Sequence, residues 1–94
     1  MAKRGSEELI PELFDTILQL KTQEDCATFF ADLCTEKEVE NMAERLAAAR
    51  LLLEGKTYLQ VIEEVDISSA TLSRVSRCVR RGTGYRRMVL PKEE

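Results

Sequence analysis

The chain has 94 residues, of which 44% are hydrophobic and 33% charged, and glycine and proline together number only six. This composition predicts one small helical domain. No apolar run could span a membrane, and the N-terminus lacks the apolar core of a signal peptide, so we expect a cytoplasmic protein. The chain has no histidine, and its three cysteines lack CxxC spacing. We therefore predict no metal, no cofactor and no enzymatic activity.

The net charge of −3 conceals a strong asymmetry along the chain. Residues 6–67 hold five basic and fifteen acidic residues, a net charge of −10. Residues 68–92 hold seven basic residues and no acidic one, a net charge of +7. The seven are Arg74, Arg77, Arg80, Arg81, Arg86, Arg87 and Lys92. Because the acidic part would repel a polyanion, we expect any nucleic acid to bind the C-terminal third.

The first two predicted helices carry unusually wide apolar stripes. The first begins near Ser6 and is expected to end at Lys21, and Thr22 with Asp25 starts the second. The apolar residues of the first are Leu9, Ile10, Leu13, Phe14, Ile17, Leu18 and Leu20, and those of the second are Cys26, Phe29, Phe30 and Leu33. Stripes of this width predict burial against a second copy of the chain, as a two-fold homodimer.

The third predicted helix is the longest. Thr35 and Glu38 have the Thr-x-x-Glu spacing of a capping box, and the pattern runs to Glu54, where Gly55 stands at a natural helix stop. Its expected buried face consists of Val39, Met42, Leu46, Leu53 and several alanines, extended by Leu51 and Leu52.

Residues 57–81 predict two short helices joined by a tight turn. Thr57 with Gln60 forms a capping box for the first helix, and Ser68 is an N-cap for the second. The first has an apolar face of Val61, Ile62 and Val65, and the second one of Leu72, Val75 and Val79. The opposite face carries Ala70, Ser73, Arg77 and Arg81, flanked by Arg74 and Arg80. Small residues followed by arginines favour a helix that enters a DNA major groove over an ordinary solvated surface helix.

The end of the chain predicts a loop at Gly82 and Gly84, a short helix from about Tyr85 to Leu90, and a loose tail from Pro91. With no strand signal, we expect an all-α fold of five to six helices in one structural domain. Residues 1–56 would form a helical dimerisation region, residues 57–81 a helix-turn-helix, and residues 82–94 the C-terminal helix and tail.

The sequence resembles the tryptophan-repressor superfamily, in particular its YerC/YecD branch. The resemblance covers about residues 9–90 and is most specific at residues 29–35, 45–58 and 70–78. It implies an intertwined, all-helical homodimer that binds DNA. The positions that would face DNA in that family are Leu59, Gln60 and Glu63 on the first helix of the motif, and Ser69, Ala70, Thr71 and Ser73 on the recognition helix.

The same resemblance implies a place for a small-molecule effector, at Thr35, Arg45, Arg74 and Val75. Family members hold tryptophan with arginines at the positions of Arg45 and Arg74, and Thr35 matches a third position. Val75 replaces a glycine that the indole needs, and Asp32, Cys34 and Cys78 also depart from the pattern. We therefore expect that L-tryptophan does not bind.

The turn also departs from the usual pattern of the motif. Asp66 replaces the glycine that commonly adopts a left-handed conformation there, and Ile62 replaces a small residue at which the two helices approach each other.

The sequence is consistent with two classes of function. The first is a transcriptional regulator, repressor-like, that binds a palindromic operator in double-stranded DNA as a dimer. Its predicted DNA-binding residues are Thr57, Leu59, Gln60, Glu63, Ser68, Ser69, Ala70, Thr71, Ser73, Arg74, Arg77, Arg80 and Arg81. The alternative is a helical interaction module whose basic C-terminal face binds an acidic protein partner.

Overall fold

A computed structural model describes residues 3–89 of the chain. These residues form six α-helices and no strand, which confirms the predicted all-helical fold. The helices are α1 (Ser6–Ile17), α2 (Gln23–Leu33), α3 (Glu36–Leu53), α4 (Tyr58–Glu64), α5 (Ser69–Arg81) and α6 (Gly84–Met88). The expected helix end at Leu90 and the tail from Pro91 lie outside the described residues. No described helix is both long and apolar enough to cross a membrane.

The chain divides into two compact units between Thr35 and Glu36. The N-terminal unit contains α1 and α2. As predicted, α1 begins at Ser6. It ends at Ile17, earlier than Lys21, and the backbone N–H of Leu18 closes the last turn on the carbonyl of Phe14. The start of α2 is capped as expected, because Thr22 Oγ1 accepts a hydrogen bond of 2.9 Å from the Asp25 backbone N–H. None of residues 3–35 is buried.

The C-terminal unit begins with α3, which follows directly after Thr35. Gly55 ends this helix with a φ of +94°, a left-handed conformation that favours glycine. The backbone N–H of Gly55 donates to the Leu52 carbonyl, and that of Lys56 donates to the Leu51 carbonyl, both at 3.0 Å. This pair of bonds satisfies two carbonyls of the last turn, so the predicted role of Gly55 is confirmed.

The hydrophobic core of this unit joins α3, α4 and α5. Its buried residues are Ala48, Ala49, Val61, Leu72, Val75 and Val79. The predicted buried face of α5 is therefore confirmed. The expected face of α3 is correct only in its C-terminal half, since Val39, Met42 and Leu46 are 37–43% exposed. Ile62, expected on the apolar face of α4, is also exposed.

The link between α4 and α5 does not use a left-handed residue. Val65 is extended, with φ −127° and ψ 135°, and Ser68 is extended at the start of α5. Gly55 is the only residue with a positive φ among residues 3–89, so Asp66 does not adopt the conformation expected for it. Val65 and Ser68, at the two ends of the link, have extended backbone, which any residue can adopt.

Candidate nucleic-acid interface

The start of α4 is fixed by a reciprocal capping box. Gln60 backbone N–H donates to Thr57 Oγ1 at 3.2 Å, and Thr57 backbone N–H donates to Gln60 Oε1 at 2.8 Å. The predicted capping box is confirmed, and both side chains are committed to holding the helix start. Leu59 and Glu63, the other residues predicted to face DNA from this helix, are exposed, Leu59 to 67%.

The start of α5 is capped by Ser68. Its Oγ accepts a hydrogen bond of 3.1 Å from the Thr71 backbone N–H and donates one of 3.0 Å to Thr71 Oγ1. The predicted N-cap is confirmed. Ser69 and Ala70 are exposed beside this pair, and Ser73 is half-buried one turn later. Small side chains and hydroxyl groups thus surround the first turn of the helix, which permits close approach of another molecule.

The rest of the exposed face of α5 carries arginines. Arg74, Arg77, Arg80 and Arg81 are all exposed. The internal hydrogen bonds made by this face are long: Arg77 Nη1 donates to Ser73 Oγ and Arg80 Nε to the Ser76 carbonyl, each at 3.5 Å. Among residues 3–89, no carboxylate lies within ion-pair distance of these four arginines. Guanidinium groups without acidic neighbours are available for external anions such as phosphate.

Arg86, one of the seven basic residues in the C-terminal third of the chain, has a structural role. From α6 its Nε donates to the Val79 carbonyl at 2.7 Å, and its Nη2 donates to the Arg80 carbonyl at 3.3 Å. These carbonyls belong to the last turn of α5, whose oxygens have no partners within the helix. A basic residue just beyond the end of a helix is a sequence signal for such a cap. The sequence does not show which of the neighbouring arginines donates to the last carbonyls of α5.

The residues compared with an effector pocket occupy different environments. Val75 is 1% exposed and belongs to the core, whereas Arg74 is exposed. Arg45 lines a cavity of about 220 Å³ whose lining includes neither Arg74 nor Val75. Thr35 lies in the N-terminal unit. Cys26, Cys34 and Cys78 are free thiols, and among residues 3–89 no group of three or more Cys, Asp or Glu side chains could hold a metal ion.

Two solved structures match the fold over almost the whole chain. A Staphylococcus aureus protein solved as a proposed Trp repressor is 37% identical with a TM-score of 0.81, covering 96% of this chain and 93% of the other. A TrpR-like protein from Eubacterium eligens ATCC 27750 is 34% identical with a TM-score of 0.74, covering 90% and 94%. The fold is therefore that of Trp-repressor-like proteins.

The family model described as Trp repressor protein matches residues 8–94. The uncharacterized protein YerC of Bacillus subtilis (strain 168) is 45% identical over 89 residues, which are 95% of this chain and 84% of that protein. The chain belongs to the Trp repressor family, as the resemblance in its sequence predicted.

Proposed function

We propose that the protein is a sequence-specific DNA-binding transcriptional regulator, repressor-like, that acts on a palindromic operator as a homodimer. The observation that carries the proposal is the exposed face of α5, with small residues and hydroxyl groups in its first turn and four arginines without acidic neighbours after it. Residues 57–81 would form the helix-turn-helix, with α5 in the major groove. The cytoplasmic location expected from the sequence stays a prediction.

The proposed roles of the individual residues follow from their positions. Ser69, Ala70, Thr71 and Ser73 would meet base edges, while Arg74, Arg77, Arg80 and Arg81 would meet phosphates. The remaining predicted contacts, Thr57, Leu59, Gln60, Glu63 and Ser68, would lie against the DNA backbone or groove. Thr57, Gln60 and Ser68 would act partly by holding the helix starts, because their side chains are already engaged there.

The proposed dimer is supported by the N-terminal unit. Phe14 of α1 is 57% exposed, and Leu18, the residue that caps the C-terminal end of α1, is 79% exposed. Helix α1 has no buried residue. Apolar surface of this extent on one helix is typical of a face that is covered by another chain. Two-fold symmetry would place two α5 helices about 34 Å apart, in successive major grooves.

The protein would not respond to L-tryptophan. Val75 stands where the family pattern has glycine, and its side chain is packed in the core, so it would occupy space that an indole needs. Isothermal titration with L-tryptophan tests this directly. Binding with a micromolar dissociation constant would overturn it.

Selection of binding sites from a random duplex pool tests the main proposal. Enrichment of a two-fold symmetric motif is the expected result, with an affinity that falls steeply as salt rises because arginine contacts release phosphate counterions. Failure to enrich any sequence at moderate salt would favour the alternative, a basic face that binds an acidic protein.

A further inference from the structure

The loop between α5 and α6, which consists of Gly82 and Thr83, presents a hydroxyl group that does not hold the fold. Thr83 is exposed and stands at the N-cap of α6, yet its side chain forms no hydrogen bond with any of residues 3–89. Thr22, Thr57 and Ser68, the N-cap residues of α2, α4 and α5, each accept a bond from a backbone N–H. The Thr83 hydroxyl is therefore free for chemistry with another molecule.

The backbone around Thr83 leaves this hydroxyl accessible. Gly82 is extended, with φ −86° and ψ 177°. Both neighbours of Thr83 are glycines, and a Cβ added at Gly84 would meet nothing within 4 Å. Exposed loops of small residues are the segments that enzymes acting on folded proteins reach most easily. The loop is thus open to an enzyme that modifies hydroxyl groups.

Arginines lie on both sides of Thr83. Arg80 and Arg81 precede it by three and two residues, and Arg87 follows it by four. Arg81 and Arg87 are exposed, and neither side chain has a hydrogen bond or ion pair with any of residues 3–89. The Arg87 backbone N–H donates to the Thr83 carbonyl at 2.9 Å, so the two residues are one helical turn apart and their side chains lie on the same side of α6. An anion attached to Thr83 would have unpaired guanidinium groups before and after it.

We propose that Thr83 is a phosphorylation site for a serine/threonine protein kinase that recognises arginines two and three residues before the acceptor. Thr83 Oγ1 attacks the γ-phosphorus of ATP, the bond between that phosphorus and the β–γ bridging oxygen breaks, and ADP leaves. The hydroxyl proton passes to the catalytic aspartate of the kinase. The new phosphate, with a charge of about −1.5 to −2, accepts charge-assisted hydrogen bonds from Arg81 and Arg87.

A regulatory consequence rests on the proposed DNA-binding function. Arg81 is one of the four arginines of α5 that would meet DNA phosphates. A phosphate on Thr83 competes for this guanidinium group and repels the DNA backbone. Phosphorylation therefore weakens DNA binding. The loss of one arginine contact in each chain should also reduce the slope of log affinity against log salt by about 0.9 per chain.

The other end of the chain offers a matched comparison. Ser6 is also exposed, and the sequence Lys-Arg-Gly before it has the same basic-basic-glycine order as the sequence before Thr83. The arginine differs in its surroundings, because Arg4 is ion-paired with Glu8 and Glu12. A kinase must break these pairs to bind Arg4, whereas the arginines before Thr83 have no acidic partner to lose. Thr83 should therefore be the better acceptor, by about threefold for exposed ion pairs.

The site is tested by incubating the full chain with ATP and a kinase of this specificity, and by mapping the phosphorylated residues over time with mass spectrometry. We expect Thr83 to be modified at least about threefold faster than Ser6. Thr28, an exposed threonine with Asp25 three residues before it and Asp32 four residues after it, should stay unmodified. No phosphate on Thr83, or a rate there no greater than the rate at Ser6 or Thr28, overturns the proposal.

Two variants check the mapped site. Thr83→Val keeps the approximate shape of the side chain and removes the hydroxyl, so it should abolish the fast phase of phosphate incorporation. Thr28→Val is the matched control and should leave that phase unchanged. Equal incorporation by the two variants would place the fast site elsewhere. The mapping on the unaltered protein remains valid if a variant does not fold.

The regulatory consequence is tested by fluorescence anisotropy with the duplex that the binding-site selection enriches. Phosphorylation should lower affinity about threefold for each chain, and so about tenfold for a dimer. Thr83→Val, treated with kinase and ATP in the same way, should keep the affinity of the untreated protein. Equal affinity of the unaltered protein before and after modification of Thr83 overturns this consequence.

The two proposals fail separately in these experiments. A protein that is phosphorylated on Thr83 but enriches no DNA sequence retains the modification site and loses the operator function. A protein that enriches an operator but is not phosphorylated on Thr83 retains the operator function and loses the modification site.

Discussion

The guanidinium group of Arg86 closes the C-terminal end of α5 by donating from Nε to the Val79 carbonyl at 2.7 Å. Its Nη2 reaches the next carbonyl, that of Arg80, at 3.3 Å. A cation at this position also lies at the negative end of the helix dipole. One arginine of the basic segment is thus engaged with the helix, whereas the four on the exposed face of α5 are not paired with acids.

Replacing Arg86 with methionine should show whether this side chain stabilises the C-terminal end of α5 or binds phosphate. We expect a loss of about 1 kcal/mol in the free energy of unfolding, because two carbonyls lose a charged donor. DNA affinity should fall while the slope of log affinity against log salt stays unchanged. Arg77→Met should reduce that slope by about 0.9, the value for one phosphate contact.

Fluorescence anisotropy at several salt concentrations measures both slopes, and Arg87→Met controls for loss of a charge in α6. If Arg86→Met lowers the slope as much as Arg77→Met, then Arg86 contacts DNA instead of acting through α5.

Variants of Ser68 distinguish its role as the N-cap of α5 from the effect of charge on the proposed DNA-binding surface. Ser68→Ala should lower the free energy of unfolding by about 1 kcal/mol, because the Thr71 N–H loses its acceptor. Asparagine and aspartate are both good N-caps, so Ser68→Asn and Ser68→Asp should retain stability. Only aspartate adds a negative charge to the proposed interface. We expect Ser68→Asp alone of these two to lose DNA affinity strongly, as measured by anisotropy, and equal affinity of the two variants would remove Ser68 from the interface.

The two glycines beside α6 should respond oppositely to alanine. A Cβ at Gly82 would lie 2.8 Å from the Cys78 carbonyl oxygen, a backbone atom that accepts the closing hydrogen bond of α5. Gly82→Ala should therefore lower the melting temperature. A Cβ at Gly84 meets nothing within 4 Å, and Gly84 begins α6, so Gly84→Ala should be neutral or stabilising by up to about 1 kcal/mol. Thermal denaturation of both variants decides this, and destabilisation by Gly84→Ala would contradict it.

Leu72 should dominate the stability of the C-terminal unit. It is fully buried, and truncation to alanine should lower the free energy of unfolding by about 2–5 kcal/mol through lost burial and a cavity. Leu59→Ala is the matched control, since Leu59 is 67% exposed and should change stability by less than about 0.5 kcal/mol. Urea denaturation followed by circular dichroism measures both. Comparable losses would mean that Leu59 is covered in the functional state.

The proposed dimer depends on the exposed apolar face of α1. Phe14→Asp places a charge on that face, and we expect it to convert a dimer into a monomer, because an unpaired charge in an apolar interface is costly. Thr16→Asp introduces the same charge two residues away, on another side of the helix, and should leave the dimer intact. Size-exclusion chromatography with light scattering reports the mass. A monomeric unaltered protein would remove the dimer altogether.

Local signals in the sequence predicted the starts of α2, α4 and α5 correctly. Thr22, Thr57 and Ser68 each accept a bond from the backbone N–H three residues later, and such caps involve only neighbouring residues. The buried face of α5 was equally predictable, because the spacing of Leu72, Val75 and Val79 matches one side of a helix.

Features that depend on distant parts of the chain could not be predicted. Periodicity shows that Met42 and Leu46 share a face, but not whether anything covers it. Asp66 lacks the positive φ of the usual turn pattern, since the conformation of a link also depends on how the helices that it joins pack. The cavity beside Arg45 was also beyond the sequence, since it forms between residues more than twenty positions apart.

The lack of fully buried residues in the segment 3–35 has a consequence for the amount of protein that must be present. A segment without buried residues gains little free energy from folding by itself, so in the proposed dimer its folding and the association of two chains would be one reaction. By mass action, the folded fraction would then rise with total concentration. Lower expression would therefore reduce both the number of chains and the fraction of those chains that is folded. We expect the melting temperature of the protein to increase with its concentration.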